Sequence, residues 1–177
     1  MGGLLLSSKK FYEEKLKFFY RNTGPTMDPF TAWILLKSLE TYPLRIEQLC
    51  KNASRIAFFL KDHPKIQKTI FPGLSEYSQK KLIEKQMDGF GNIISFYIKG
   101  DKNTTFKFLN KLSMISISNN LGDVKSLIIH PASTTHLKIL KKDKNLLNIN
   151  NNLVRLSVGL EDVEDIIKDI DLALKKV

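Results

Sequence analysis

Between residues 43 and 60, apolar side chains fall at Ile46, Leu49, Cys50, Ala53, Ile56, Ala57 and Leu60. That spacing predicts one helix with a single buried stripe, on which Cys50 reads as a small apolar residue rather than a reactive thiol. His63-Pro64 closes it. Upstream, the pattern predicts a short strand over residues 1–8, a helix over 9–20 and a turn at Arg21-Asn22-Thr23-Gly24-Pro25. Asp28-Pro29 then opens a second helix, because the Asp oxygen can cap first-turn amides and Pro at the first helical position loses no needed donor. It carries Phe30, Trp33, Ile34 and Leu36 to about residue 41.

Downstream the period shortens. Residues 66–71, 92–99, 114–118, 127–130 and 153–158 read as strands, rich in Ile, Phe, Leu and Val. Helices are expected over 106–112 and 160–175. The latter bears Glu161, Asp162, Glu164 and Asp165 at its start and Lys175 and Lys176 at its end, a polarity that suits the helix dipole. The polar stretch 141–152 reads as a loop. Two leading helices followed by mostly antiparallel strands with interspersed helices define an α+β class.

Composition excludes more than it identifies. A chain of 177 residues is one domain, or one domain with a fragment of another. Lys and Arg number 28 against 18 Asp and Glu, a net charge of +10, which raises nucleic acid or an anionic membrane as partners. The lysines, however, are scattered as Lys9-Lys10, Lys80-Lys81, Lys141-Lys142 and Lys175-Lys176, with no Arg–aromatic stripe on which bases could stack. A solvated surface is the reading adopted, with neither nucleic acid nor membrane as partner. No apolar run approaches the ~20 residues that cross a bilayer. The Met1-to-Ser7 stretch lacks a signal peptide's positive flank and cleavage site, so a cytoplasmic location is expected. One cysteine makes no disulfide framework, and no Cys/His spacing suggests a metal site.

Three segments combine polar residues with turn signals. Ser118 to Ser126, with Asn119-Asn120-Leu121-Gly122-Asp123 inside it, reads either as a loop aiming amides at an anion or as a hairpin-like turn. His130-Pro131-Ala132-Ser133-Thr134-Thr135-His136 spaces two histidines six apart, but the proline works against a shared face and structural roles are favoured. In Leu153 to Gly159, alternation places Val154, Leu156 and Val158 on one face and Leu153, Arg155 and Ser157 on the other. An Arg in an apolar strand is costly to bury without an anion, and its planar donor fork fits a carboxylate as Lys cannot. The residues alone leave two readings of Arg155 open, a structural salt bridge or a ligand grip.

In order along the chain, several motifs resemble the C-terminal part of the Cys/Met-metabolism family of pyridoxal-phosphate enzymes. They are Thr23-Gly24-Pro25, Pro29-Phe30, Leu39-Glu40-Thr41 with Leu44-Arg45, Asn52-Ala53, His63-Pro64, Pro72-Gly73-Leu74, Gly89-Phe90-Gly91, Ser95-Phe96 and Leu153 to Asp165. Asn120-Leu121-Gly122-Asp123 and the 130–136 segment look closest to O-succinylhomoserine sulfhydrylases, where many relatives have Ser-Leu-Gly-Gly.

The resemblance implies the C-terminal small domain of a type I pyridoxal-phosphate transferase fold over residues 27–177, with residues 1–26 a remnant of the cofactor-binding large domain. It implies that Arg155 binds the α-carboxylate of an amino-acid substrate, a homoserine ester or thioether, with Asn120 and Leu121 beside that carboxylate and the cofactor. Family members are homo-oligomers. The Schiff-base lysine, in a Ser-x-Thr-Lys-like segment, would lie upstream of Gly2-Gly3, as would the phosphate-cradling Gly loop, the ring-stacking Tyr and the Asp on the pyridine nitrogen. No catalytic residue is therefore assigned here. The chain alone is expected to be inactive and poorly soluble, unless a separately made N-terminal fragment supplies the lysine.

Overall fold

A computed structural model describes residues 2–177, the side chains of Lys141 and Asn145 excepted. The chain forms two compact units that divide at Pro43 and Leu44.

In the first unit, α1 (Lys9–Phe11), a π-helical turn (Tyr12–Leu16) and α2 (Lys17–Thr23) follow one another without a break. Ser8 Oγ caps the start by accepting from Phe11 N–H at 3.2 Å. Gly24, at φ 64°, ends it in the left-handed conformation that glycine adopts without steric cost. Helix α3 (Pro29–Glu40) starts as expected, with Asp28 Oδ1 accepting from Thr31 N–H at 2.9 Å. The strand expected over 1–8 is not formed in the described residues 2–8. A strand exists only by pairing, and the first unit holds no second strand for it. None of the described side chains before Leu44 is buried; Leu6, at 93%, is the most exposed of the apolar ones.

Helix α4 (Tyr42–Asp62) spans the predicted helix, and from Leu44 onward it belongs to the second unit. Its buried stripe is Leu49, Asn52, Ala53, Ile56, Ala57 and Leu60. Cys50 lies only half-buried beside that stripe, and a polar residue, Asn52, takes the interior position instead. The reason lies beyond the helix: Asn52 Nδ2 donates to the carbonyls of Gly159 and Glu161 at 3.1 and 3.0 Å, and Oδ1 accepts from Gln48. Burial is tolerable because each polar atom is paired.

Five strands follow: β1 (Ile66–Ile70), β2 (Ile93–Ile98), β3 (Ser116–Ile117), β4 (Leu127–Ile129) and β5 (Leu153–Ser157). They form one sheet in the order β1-β2-β5-β4-β3. All pairs are antiparallel except β3 with β4, which are parallel. That pairing rules out a hairpin at 118–126, since parallel neighbours need a crossover connection. One sheet face carries Ile94, Phe96, Ile98, Ile128, Val154 and Leu156 into a core closed by α4 and by α8 (Val163–Lys175) through Ile166, Ile170, Ala173 and Leu174. Phe96 and Phe108 meet edge to face in it, with centroids 6.1 Å apart.

Two helix boundaries depart from expectation. Helix α6 spans Lys102–Leu109 rather than 106–112, because Asp101 caps it through Thr104 N–H and Oγ1. Helix α8 begins at Val163, where Asp162 accepts from Glu164 N–H. Two short helices, α5 (Lys80–Gln86) and α7 (Lys141–Leu146), occupy stretches with little hydrophobic periodicity, the second inside the expected 141–152 loop. Lys144 Nζ fixes that segment by donating to Ala132 O at 3.0 Å.

Candidate functional site

Strand β5 sits in the middle of the sheet, and its register decides what surrounds Arg155. Arg155 pairs with Ser95 on β2 and with Ile129 on β4. Its neighbours on the outer face are therefore a small hydroxyl, a buried Ile, Leu153 and Ser157. Among the described residues no carboxylate forms an ion pair with it. Its guanidinium is half-buried, Nη2 donates to the carbonyl of Asn119 at a long 3.4 Å, and Nε is buried without a partner. The internal-salt-bridge reading is not what the structure holds.

A donor left unpaired in such a place costs about 1–3 kcal/mol, more when the group is charged. A guanidinium whose Nε–H has no partner keeps donors of the geometry that pairs with a carboxylate.

The loop over residues 118–126 runs above this face. Ser157, on the same side of β5 as Arg155, accepts Gly122 N–H at 3.0 Å. At the far end, the Glu161 carboxylate accepts Ser126 N–H at 2.7 Å and Ser126 O–H at 2.9 Å, and Ser126 Oγ accepts Gly159 N–H at 2.9 Å. Leu160 N–H donates to Val124 O at 2.8 Å. Of the residues singled out in the sequence, Arg155 is brought to this loop at Asn119, one position before Asn120. Asn120 and Leu121 are exposed on the same turn, and Asn120 N–H donates only locally to Ser118 Oγ at 3.3 Å. Pattern reading passed over Ser157, Ser126 and Glu161. Alternation did place Ser157 beside Arg155, but the partners lie more than thirty residues away in sequence.

The histidines stay apart from this chemistry. His130 is buried, with Nε2–H donating to Asn151 O at 2.8 Å and Nδ1 accepting from Ser133 at 2.7 Å. Burial holds its basicity below the usual imidazole value despite the Asn151 carbonyl, and Lys102 and Lys144 push the same way. His136 pairs with Thr135. No cluster of His, Cys, Asp and Glu among the described residues could hold a metal ion, and no helix among them is long and apolar enough to cross a membrane.

The α+β domain carries a half-buried guanidinium that meets no acid among the described residues, and comparison with known proteins gives the domain a family. The profile of the Cys/Met metabolism PLP-dependent enzymes matches residues 1–175, and the chain belongs to this family. It is 40% identical over 178 residues to an O-succinylhomoserine sulfhydrylase of Mycobacterium tuberculosis, covering 98% of this chain and 44% of that one. It is 43% identical to an O-acetyl-L-homoserine sulfhydrylase of Leptospira meyeri, over 89% of this chain and 36% of the relative. An L-methionine gamma-lyase of Fusobacterium nucleatum subsp. polymorphum is 38% identical over the full chain and 45% of its own.

The crystal structure of a Campylobacter jejuni protein assigned as an O-acetylhomoserine (thiol)-lyase, with a pyridoxyl-lysine phosphate, superposes with a TM-score of 0.87 at 35% identity. It covers 96% of this chain and 41% of that one. The chain thus spans less than half the length of the relatives it matches.

Proposed function

We propose that this chain supplies the α-carboxylate grip of a pyridoxal-phosphate-dependent enzyme of the sulfhydrylation and transsulfuration type, acting on an O-succinyl- or O-acetyl-homoserine or on a thioether amino acid. The single observation that carries this is Arg155: a half-buried guanidinium with an unpaired Nε and no acidic partner among the described residues. Its Nε–H and an Nη–H can take the two carboxylate oxygens in parallel, which fixes the rotation of the bound amino acid as well as its distance. Asn120 and Leu121, on the turn above, line the outer side of the bound carboxylate and exclude water from it. Relatives named as sulfhydrylases favour the homoserine esters, and those named as gamma-lyases keep the thioethers as the alternative.

The orphaned Nε fits the substrate's acidic end and is not a donor set for the cofactor itself. Bound pyridoxal phosphate supplies an electron sink for charge developing at the substrate carbons. Residues 1–177 contain no Ser-x-Thr-Lys segment, so the amine that would hold the cofactor belongs to residues outside this sequence, in the same polypeptide or another. The exposed aromatic and Leu side chains of the first unit, Phe18, Phe19, Phe30 and Trp33 among them, suit burial in a larger assembly, a homo-oligomer included.

The test uses the isolated chain. It is expected to show neither the visible absorbance of protein-bound pyridoxal phosphate nor C–S lyase or sulfhydrylase turnover. Titration with sodium acetate, at ionic strength held constant with chloride, should shift the Arg155 Nε–H resonance saturably. Arg155→Lys, which keeps the charge and loses the fork, should weaken acetate binding about tenfold or more when both proteins are compared by isothermal titration calorimetry. Binding unchanged in Arg155→Lys would remove the reading.

A further inference from the structure

Resting on the carboxylate-grip reading, we infer that Ser157 is a positioning residue: its hydroxyl tethers the 119–122 turn so that the Asn119 carbonyl stands off from the Arg155 guanidinium. Parallel strands β3 and β4 are joined over residues 118–126, a crossover with no regular structure of its own. Such a segment is only as rigid as its tethers. At its start Ser118 N–H donates to Ile128 O at 3.0 Å, and at its end Val124 and Ser126 are held by Leu160, Gly159 and Glu161. Between these points, the bonds of Asn120 to Ser118 and of Lys125 to Asp123 are local to the loop. Among the described residues, two hydrogen bonds tie residues 119–122 to the sheet, Gly122 N–H to Ser157 Oγ at 3.0 Å and Arg155 Nη2–H to Asn119 O at 3.4 Å.

The two bonds are unequal. The Ser157 bond has ordinary length and its acceptor is 1% exposed, in a strand locked on both sides. Gly122 stands at φ 75°, a conformation that favours glycine, with its N–H donating to the strand. The Asn119 bond is stretched past the usual 2.7–3.2 Å. Released from Ser157, the turn can settle until the Asn119 carbonyl closes on Nη2 and occupies half of the fork that a carboxylate needs. Ser157 thereby keeps the guanidinium available without touching the ligand. Replacing one ordinary hydrogen bond by competition of this kind lowers carboxylate affinity roughly two- to tenfold.

Linkage makes the idea testable in the unmodified chain. If the tethered turn binds a carboxylate better than the released one, a carboxylate must in turn favour the tether by the same factor. The Gly122 amide of the full 177-residue chain should therefore be protected from hydrogen exchange, and saturating sodium acetate should slow its exchange a further two- to tenfold. In Ser157→Ala the protection should disappear and the acetate dissociation constant, read on the Arg155 Nε–H resonance, should rise by a similar factor. The denaturation midpoint moves too in a merely structural role, so affinity and Gly122 exchange are the deciding readouts. Acetate affinity unchanged in a folded Ser157→Ala variant overturns the inference. So does a Gly122 amide that is unprotected, or indifferent to acetate, in the wild-type chain, a result available even if the variant does not fold. Saturable acetate binding that survives Arg155→Lys removes the underlying grip rather than the tether.

Discussion

Replacing Gly159 by Ala tests how the site is held from the side opposite Arg155. A Cβ built on Gly159 would stand 2.1 Å from Glu161 Oε2, 2.4 Å from Ser126 N and 2.5 Å from Lys125 C. The Glu161 carboxylate can swing away. The other two atoms are backbone, held by the β4 pairing and by Leu160 N–H on Val124 O. Relief therefore requires the 124–126 strand entry to move off β5, breaking the two Ser126–Glu161 hydrogen bonds and that from Gly159 N–H to Ser126 Oγ. Overpacking of this kind costs about 1–3 kcal/mol, and losing hydrogen bonds to a charged group adds roughly 1.5–3 kcal/mol. A loss near 4 kcal/mol is a large part of the 5–15 kcal/mol typical of a domain. With a urea dependence of about 2 kcal/mol per molar, the midpoint of Gly159→Ala should fall by about 2 M, with the slope unchanged. A midpoint within a few tenths molar of wild type would refute the claim that this corner is closed by backbone contact.

Two pH effects follow from buried groups. Burial pushes the Asp169 carboxyl up, but hydrogen bonds from Ser113 N–H and O–H, Met114 N–H and Ile115 N–H outweigh it, leaving its pKa below the usual value. Its contribution is complete above the unfolded value near 3.9 and is lost as pH falls through the lower folded value, so Asp169→Asn should flatten the acid limb of a stability–pH curve below about pH 4. An acid limb identical in the variant would contradict this. His130 is likewise depressed, here because burial disfavours the cation. Its stabilisation is full above about pH 6.5 and declines as pH falls from there toward the folded value, so His130→Gln should lose stability at pH 7.5 and show a shallower fall below about pH 6.5 in urea titrations. An equal fall in both proteins would show that His130 does not titrate with folding.

What the chain alone specified is local. Asp28-Pro29 started a helix where expected because the cap and its amides lie three residues apart. Residues 153–158 alternated between faces because a strand forces that period on any sequence. Arg155 drew notice as a guanidinium in an apolar strand, and ordered motifs carried the family. What the tertiary structure decided is pairing between distant segments: the order of the sheet, the parallel β3–β4 contact that excludes a hairpin, and the burial of Asn52 in place of Cys50. An isolated helix cannot prefer Asn in its core; only the carbonyls of Gly159 and Glu161, over a hundred residues on, make it favourable. The unpaired Nε of Arg155 is of the same kind. Periodicity can set a charge on a face, but whether an acid meets it depends on which strands lie alongside, and here they bring Ser95 and Ile129.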